Sequence, residues 1–227
     1  MTWDDDVPGA GEQAADRVHA TLRAEILDGV RTAGSRLREE EIAAAQGTSR
    51  TPVREAIRRL AADGLAEIAP RRGAVVVAWD ADDLDELFDL RVVLEGHAAA
   101  RAAVSGRADL DRLHALCDRM EALRTPPDYP AITRLNLEFH REVHRAGGRR
   151  VLPELVARVV EAPLVQSTIR RYTPARLDRS FAQHRDLVAA IEAGDADWAR
   201  AVMTAHLRAA REVVRDAVTA GPAPTGP

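Results

Sequence analysis

The stretch "SRTPVREAIRRL", residues 49–60, places Arg50, Arg54, Arg58 and Arg59 close together in a chain whose formal net charge is −4. Arg50, Arg54 and Arg58 recur every fourth residue, so on a helix they form a stripe along one side. Val53, Ala56, Ile57 and Leu60 form a separate apolar stripe that faces a core. Thr51 is expected to cap this helix with its hydroxyl, with Pro52 at the first helical position, where a missing N–H costs nothing. Gly64 in "ADGL" closes it.

Upstream, Val18, Leu22 and Ile26 keep helical spacing up to Gly29, and Gly34 turns the chain toward a second helix carrying Glu39, Glu40, Glu41 and Ile42. That helix ends in "AAAQGTSR" (43–50), where Gly47 suits a left-handed C-terminal position. Downstream, "LAEIA" (65–69) and "AVVVA" (74–78) flank "PRRG" (70–73), which predicts two strands joined by a tight, basic turn. Three helices and a β-hairpin in this order make a winged helix-turn-helix.

Beyond Trp79 the pattern is helical throughout, with segments starting near Ala81, Arg107, Tyr129, Val151, Leu177 and Asp195. The fold class expected is therefore mainly α: an N-terminal winged helix-turn-helix followed by an all-α bundle of six or seven helices. The expected divisions are a disordered stretch at 1–14, a DNA-binding domain at 15–79, an all-helical ligand-binding domain at 80–219 and a disordered tail at 220–227.

Composition narrows the function. No apolar run approaches the ~18 residues of a membrane span, and the acidic opening "MTWDDDVPGAGEQ" is unlike a secretion signal, so a cytoplasmic protein is expected. The single cysteine, Cys117, excludes an internal disulfide framework and a Cys-rich zinc knuckle. All 32 basic residues are arginine, which removes Schiff-base and phosphate-loop lysine chemistry. With only 4% aromatics, stacking platforms for single-stranded nucleic acid are not expected.

The positive charge is concentrated. Residues 49–73 hold six arginines against Glu55, Asp63 and Glu67, whereas residues 79–227 hold 21 arginines against 23 acids. A helix with such a stripe fits the major groove of double-stranded DNA, with Ser49, Arg50, Thr51 and Arg54 at the base edges and phosphates and Arg58 further along. An arginine stripe alone is usually a solvated face. The helix-turn-helix spacing, the small-residue turn and the basic wing, with Arg72 and Gly73, favour DNA.

The segment from "LRAEILDG" to "APRRGAVVV", across nearly all of residues 17–78, closely resembles the winged-helix domain of GntR-type bacterial transcription regulators, most specifically in "SRTPVREAIRRLAADGL". The resemblance implies base reading by Arg50 and Arg54, backbone contacts from Ser49 and Thr51, and approach of Gly73 to the minor groove. Some relatives carry a further DNA-contacting arginine in the second helix, where this chain has Glu39 to Glu41.

"DELFDLRVVLEGHAAARAA" (85–103), "NLEFH" (136–140) and "QHRDLVAAIEAGDADWARAVMTAHL" (183–207) resemble the all-helical FCD-type effector domain of the FadR-like branch. The resemblance implies a divalent metal, Zn or Ni, held at the positions of Asn136, His140, His184 and His206. The spacing is compatible, since Asn136 and His140 lie at i and i+4 and the other two sit on successive helices. Asn136 stands where the family has Asp, which lowers the site's negative charge and favours an anionic effector. Arg91 is a candidate for an effector carboxylate, with a salt bridge to Glu95 as the competing reading, and Gln166, Ser167 and Arg170 are further pocket candidates. "HREVH" (140–144) lacks the Glu that a zinc-protease helix needs directly after its first His, which leaves His144 in an outer shell or on the surface.

The function expected is a homodimeric transcription regulator that binds a pseudo-palindromic operator and responds to a small organic acid through a metal-assisted site. It is not expected to be an enzyme. Two alternatives stand beside it: a His-ligated metal hydrolase with an appended winged helix, and an architectural DNA binder without effector. The hydrolase lacks a general base, because Glu138 and Glu142 are each two residues from a proposed ligand.

Overall fold

A computed structural model describes residues 10–27, 29–69, 73–78, 80–160 and 168–219, with the side chains at 10, 69, 158, 170 and 216–219 excepted. The expected roles of Arg72, Gln166, Ser167 and the Arg170 side chain, and the expected tail at 220–227, fall outside the described residues. Two compact units are present, Met1–Trp79 and Asp80–Pro227.

The first unit contains α1 (Ala10–Leu27), β1 (Arg36–Leu37), α2 (Glu39–Ala45), α3 (Arg50–Ala62), β2 (Ala66–Ala69) and β3 (Gly73–Val76). Leu22, Val53, Ala56 and Leu60 are fully buried at its centre, with α1 laid across α3. Helix α1 starts earlier than its apolar spacing suggests, which corrects the expectation of disorder up to residue 14. Ala14 and Ala15 extend its buried face, and two alanines carry little hydrophobic signal in a sequence.

Another correction concerns the start of α3. Ser49, extended at φ −83° and ψ 170°, precedes the helix, and Arg50 is its first residue. Thr51 is thus inside the first turn. Pro52 is tolerated there because the first N–H groups of a helix have no intrahelical acceptor.

Strands β2 and β3 pair antiparallel from Ala66↔Val76 to Ala69↔Gly73, and β1 adds to the other edge of β3 with Arg36↔Val75. The two residues of β1 are too few for an alternation to be legible. Gly73 leaves the turn at φ +76°, a conformation that disfavours any residue with a Cβ.

The second unit contains α4 (Ala81–Ser105), α5 (Leu110–Ala122), α6 (Tyr129–Gly147), α7 (Val151–Val160), a 3₁₀ turn (Ile169–Arg171), α8 (Pro174–Glu192) and α9 (Ala196–Thr219). Asp80 caps α4 by accepting from the backbone N–H groups of Asp82 and Asp83, both at 2.9 Å, and Asp83 answers by accepting from Asp80 N–H. Helix α4 packs against α6, α7, α8 and α9. Phe139, Met120, Ile132 and Met203 fill the core with no exposure. Cys117 is buried there, its thiol pushed up to about 11 by burial, and no described helix is long and apolar enough to cross a membrane.

The crossing of α4 and α6 is unusually close. A Cβ added at Gly147 would collide with the carbonyl of Ala98. Beside it, Arg101 Nε and Arg107 Nη2 each donate to carbonyls at the end of α6, Gly147 O and Ala146 O, at 2.7 Å. These bonds satisfy acceptors that a helix end leaves open. Gly147→Ala is therefore expected to destabilise the helical unit by about 1–3 kcal/mol through overpacking. Urea unfolding followed by circular dichroism measures this, and an unchanged midpoint would mean that α6 can back away from α4 at no cost.

Candidate functional site

Three helices bring His140 (α6), His184 (α8) and His206 (α9) into one buried cluster, with one nitrogen of each within 4.8 Å of the others. The tight turn between α8 and α9, with Gly194 at φ +68°, makes the two helices antiparallel neighbours, and the rings of His184 and His206 lie 4.8 Å apart. His140 joins them at 5.7 and 5.3 Å between centroids.

The hydrogen bonds leave a lone pair free on two of the rings. His140 Nδ1 faces Glu95 Oε2 at 3.0 Å, and His206 Nδ1 faces Gln183 Oε1 at 3.2 Å. Both partners are acceptors, so each Nδ1 carries the proton and each Nε2 keeps a free lone pair. His184, only 2% exposed, has neither ring nitrogen hydrogen-bonded. A buried polar group left in this state costs about 1–3 kcal/mol, which an ion at the cluster would relieve. The donor set fits a first-row divalent metal.

Burial keeps the cluster uncharged. It holds His184 well below the ordinary imidazole range, with His206 and His140 adding to the effect. Burial, then His140 and Arg91, push His206 down to about 3 against the opposing pull of Glu95. Burial also lowers His140, and Glu95 partly offsets it. Neutral imidazole is the form that ligates metal.

A second group, Glu95 with His140 and His144, is also close enough to hold an ion, but its electrons are committed. Glu95 Oε1 accepts from Arg91 Nε at 2.7 Å, and Oε2 faces His140 Nδ1 and His144 Nε2 at 3.0 and 3.1 Å. The adjacent guanidinium would repel a cation. Burial alone would raise the Glu95 carboxyl; Arg91 and the bonds from His140 and His144 overcome it and hold Glu95 well below the usual range.

The i, i+4 salt bridge is thus the arrangement observed for Arg91. His144, 3% exposed, lies behind His140. Sequence reasoning missed Glu95 as the shared acceptor; the available signal was two i, i+4 pairs, Arg91/Glu95 and His140/His144. Asn136 lies one turn before His140 on α6 and is half-buried. Glu138 and Glu142 both pair with Arg112 of α5, at 2.8 and 3.1 Å, and serve no cluster as a base. The remaining histidines are elsewhere: His19 on Asp63, His114 near Glu192, and His97 exposed.

On the first unit, Arg50, Arg54 and Arg58 are exposed along α3, as their spacing requires. Ser49 makes no side-chain capping bond, and Ser49 and Thr51 are exposed beside them. An unanticipated feature is that the acidic start of α2 pairs with these arginines. Glu39 accepts from Arg54 Nε and Nη2 at 3.0 and 2.8 Å and from Arg50 Nη2 at 3.3 Å, while Glu40 accepts from Arg50 Nη1 at 2.9 Å. The bond from Arg54 holds the Glu39 carboxyl below its usual range, over a smaller opposing effect of burial.

Residues 14–76 match the family described as bacterial regulatory proteins, gntR family, and residues 85–209 match the FCD domain. A relative in Paenarthrobacter nicotinovorans, "Probable D-xylose utilization operon transcriptional repressor", is 34% identical over 196 residues, covering 86% of each chain. The Bacillus subtilis "HTH-type transcriptional regulator YdhC", uncharacterized, is 29% identical over 190 residues, 82% of this chain and 84% of its own. Among solved structures, "E. coli McbR/YncC" superposes with a TM-score of 0.71 at 24% identity, over 90% of this chain and 98% of the other, which supports the fold.

The depressed imidazoles set a pH dependence. In the unfolded chain these histidines take up protons below about pH 6.5, whereas in the folded chain burial keeps them neutral to lower pH, His184 and His206 most of all. Unfolding therefore binds protons, and metal-free protein should lose stability as pH falls below about 6.5, by up to ~1.4 kcal/mol per histidine per unit. Glu95, depressed in the fold, adds to the loss below about pH 4.5. Denaturation of chelator-treated protein at pH 7.5 and 5.5 tests this; equal midpoints would show the cluster protonated in the folded state.

Proposed function

The chain belongs to the GntR family of bacterial transcription regulators, with an FCD domain following its winged helix, and on that footing we propose that it is a homodimeric, metabolite-responsive transcription repressor of the cytoplasm. Regulators of this family are not enzymes. The reading head is α3, which enters the major groove of a pseudo-palindromic operator. Arg50 and Arg54 read bases, Ser49 and Thr51 hold phosphates, Arg58 follows the backbone, and Arg72 and Gly73 of the wing approach the minor groove.

The effector site is the cluster His140, His184 and His206, with Asn136 supplying an amide oxygen as a further ligand. A divalent ion bound there supplies a positive anchor for the carboxylate of a small organic acid. Glu95 fixes the His140 ring, Gln183 fixes that of His206, and the apolar core around them excludes water. Pocket roles for Gln166, Ser167 and Arg170 are part of this reading; Arg91 acts through Glu95. Effector binding biases one of two arrangements of the protein and so changes operator affinity.

The observation that carries this reading is His184, a histidine buried without a hydrogen-bond partner and within ligand reach of His140 and His206. An architectural DNA binder has no use for such a cluster.

Operator DNA is obtained by selecting duplexes from a random pool with the purified protein. His184→Ala or His206→Ala is expected to lose bound metal, measured by elemental analysis, and to lose the affinity change caused by organic acids, while still binding the selected duplex. Retained metal in both variants would remove the triad from the proposal. Asn136→Asp adds a charged oxygen and should slow metal loss to a chelator; an unchanged rate would exclude Asn136 as a ligand. Arg54→Ala should cost the selected duplex about 1–3 kcal/mol of discrimination per base contact, and measured affinity should fall steeply with salt.

A further inference from the structure

Arg54 does not wait free in solvent. Its Nε and Nη2 donate side-on to the two oxygens of Glu39, at 3.0 and 2.8 Å. A guanidinium has five N–H donors in a rigid plane. The side-on pair uses two of them and leaves the Nη1–Nη2 end with two parallel N–H bonds pointing away from the carboxylate. That end matches guanine O6 and N7. Arg50 is held differently: its Nη1 and Nη2 both donate to acids, Glu40 Oε1 at 2.9 Å and Glu39 Oε2 at 3.3 Å, so its end is occupied.

We propose that Glu39 is a positioning residue for base recognition: it fixes the guanidinium of Arg54 with its end-on face open, so that Arg54 selects guanine, and it does so from α2 without touching DNA. The inference rests on the reading of α3 as the base-reading helix. The long arginine side chain otherwise loses rotamer freedom on binding, and a partner already in place reduces that loss. Glu39 also carries a negative charge toward a polyanion, which weakens contact with phosphates everywhere. The two effects act on different quantities: orientation raises preference for one base, and repulsion lowers affinity for all sequences alike. Glu41, on the same short helix and paired with Arg38 at 2.8 Å, offers the same charge with no link to α3.

The test selects duplexes from a random pool with full-length wild type, Glu39→Ala, Glu39→Gln, Glu41→Ala and Arg54→Ala, and sequences the products. Thermal unfolding of each variant is recorded beside it. Arg54→Ala identifies the position that Arg54 reads as the one whose guanine preference disappears. At that position Glu39→Ala is expected to reduce guanine preference about five- to tenfold, with Glu39→Gln, which keeps one acceptor oxygen, falling between it and wild type. Glu41→Ala should keep the wild-type preference and raise affinity for unselected duplex.

If Glu39→Ala and Glu41→Ala behave alike, Glu39 acts by charge alone and the proposal is overturned. Undiminished guanine preference in Glu39→Ala overturns it too. If Arg54→Ala changes no base preference, the reading of α3 fails first, and the role of Glu39 falls with it.

Discussion

Glu95 is a carboxylate without access to water, and keeping it ionised organises the helical unit. Burial favours the protonated acid; Arg91, one turn earlier on α4, and two imidazoles from α6 reverse that preference. Such buried pairs add little net stability, yet removing one member leaves an uncompensated charge. Their effect is on register. Helix α6 can slide or turn on α4 only by pulling His140 and His144 off the carboxylate, and the close crossing at Gly147 with the two arginines on its last carbonyls opposes the same movement. The direction of His140 into the cluster is thus determined by contacts made behind it.

The arginines of α3 obey a different regime. Arg50 and Arg54 are about half exposed, so water and salt screen their pairs with Glu39 and Glu40. Such pairs hold little of the fold together, and those of Arg50, which occupy its Nη1–Nη2 end, can be exchanged for another anion at small cost. The arginines of α3 are paired at the surface, and the Arg91–Glu95 pair of the second unit is buried and committed. This division suits one surface to a polyanion and one interior to a small ligand.

Much of this was legible in the sequence because periodicity reports burial. The stripe of Val53, Ile57 and Leu60, the glycines at 47 and 64, and the helices starting at 81, 129 and 151 all follow from spacing and turn chemistry. The three histidines came from a resemblance, and the fold brings them within ligand reach of one another. What was hidden lies in contacts between elements. Glu39 and Arg54 are on different helices, and no local pattern marks them as partners. Glu95 looked like half of an ordinary i, i+4 pair on α4, and its second role appears only when α6 is laid beside it. The N-cap of α3 at Ser49 instead of Thr51 is a smaller case, since both residue types suit an N-cap.

Charge within the helical unit gives the proposed effector its sign. Arg91 and Glu95 cancel, and the three imidazoles are neutral, so nothing in the immediate cluster offsets a divalent ion. A carboxylate at position 136 would halve the excess; the amide of Asn136 leaves it whole. In an apolar interior an unbalanced double charge is costly, and the protein supplies no further anion among the cluster's described neighbours. On the proposed reading the missing negative charge comes with the ligand, for which an organic acid is a better complement than a neutral sugar.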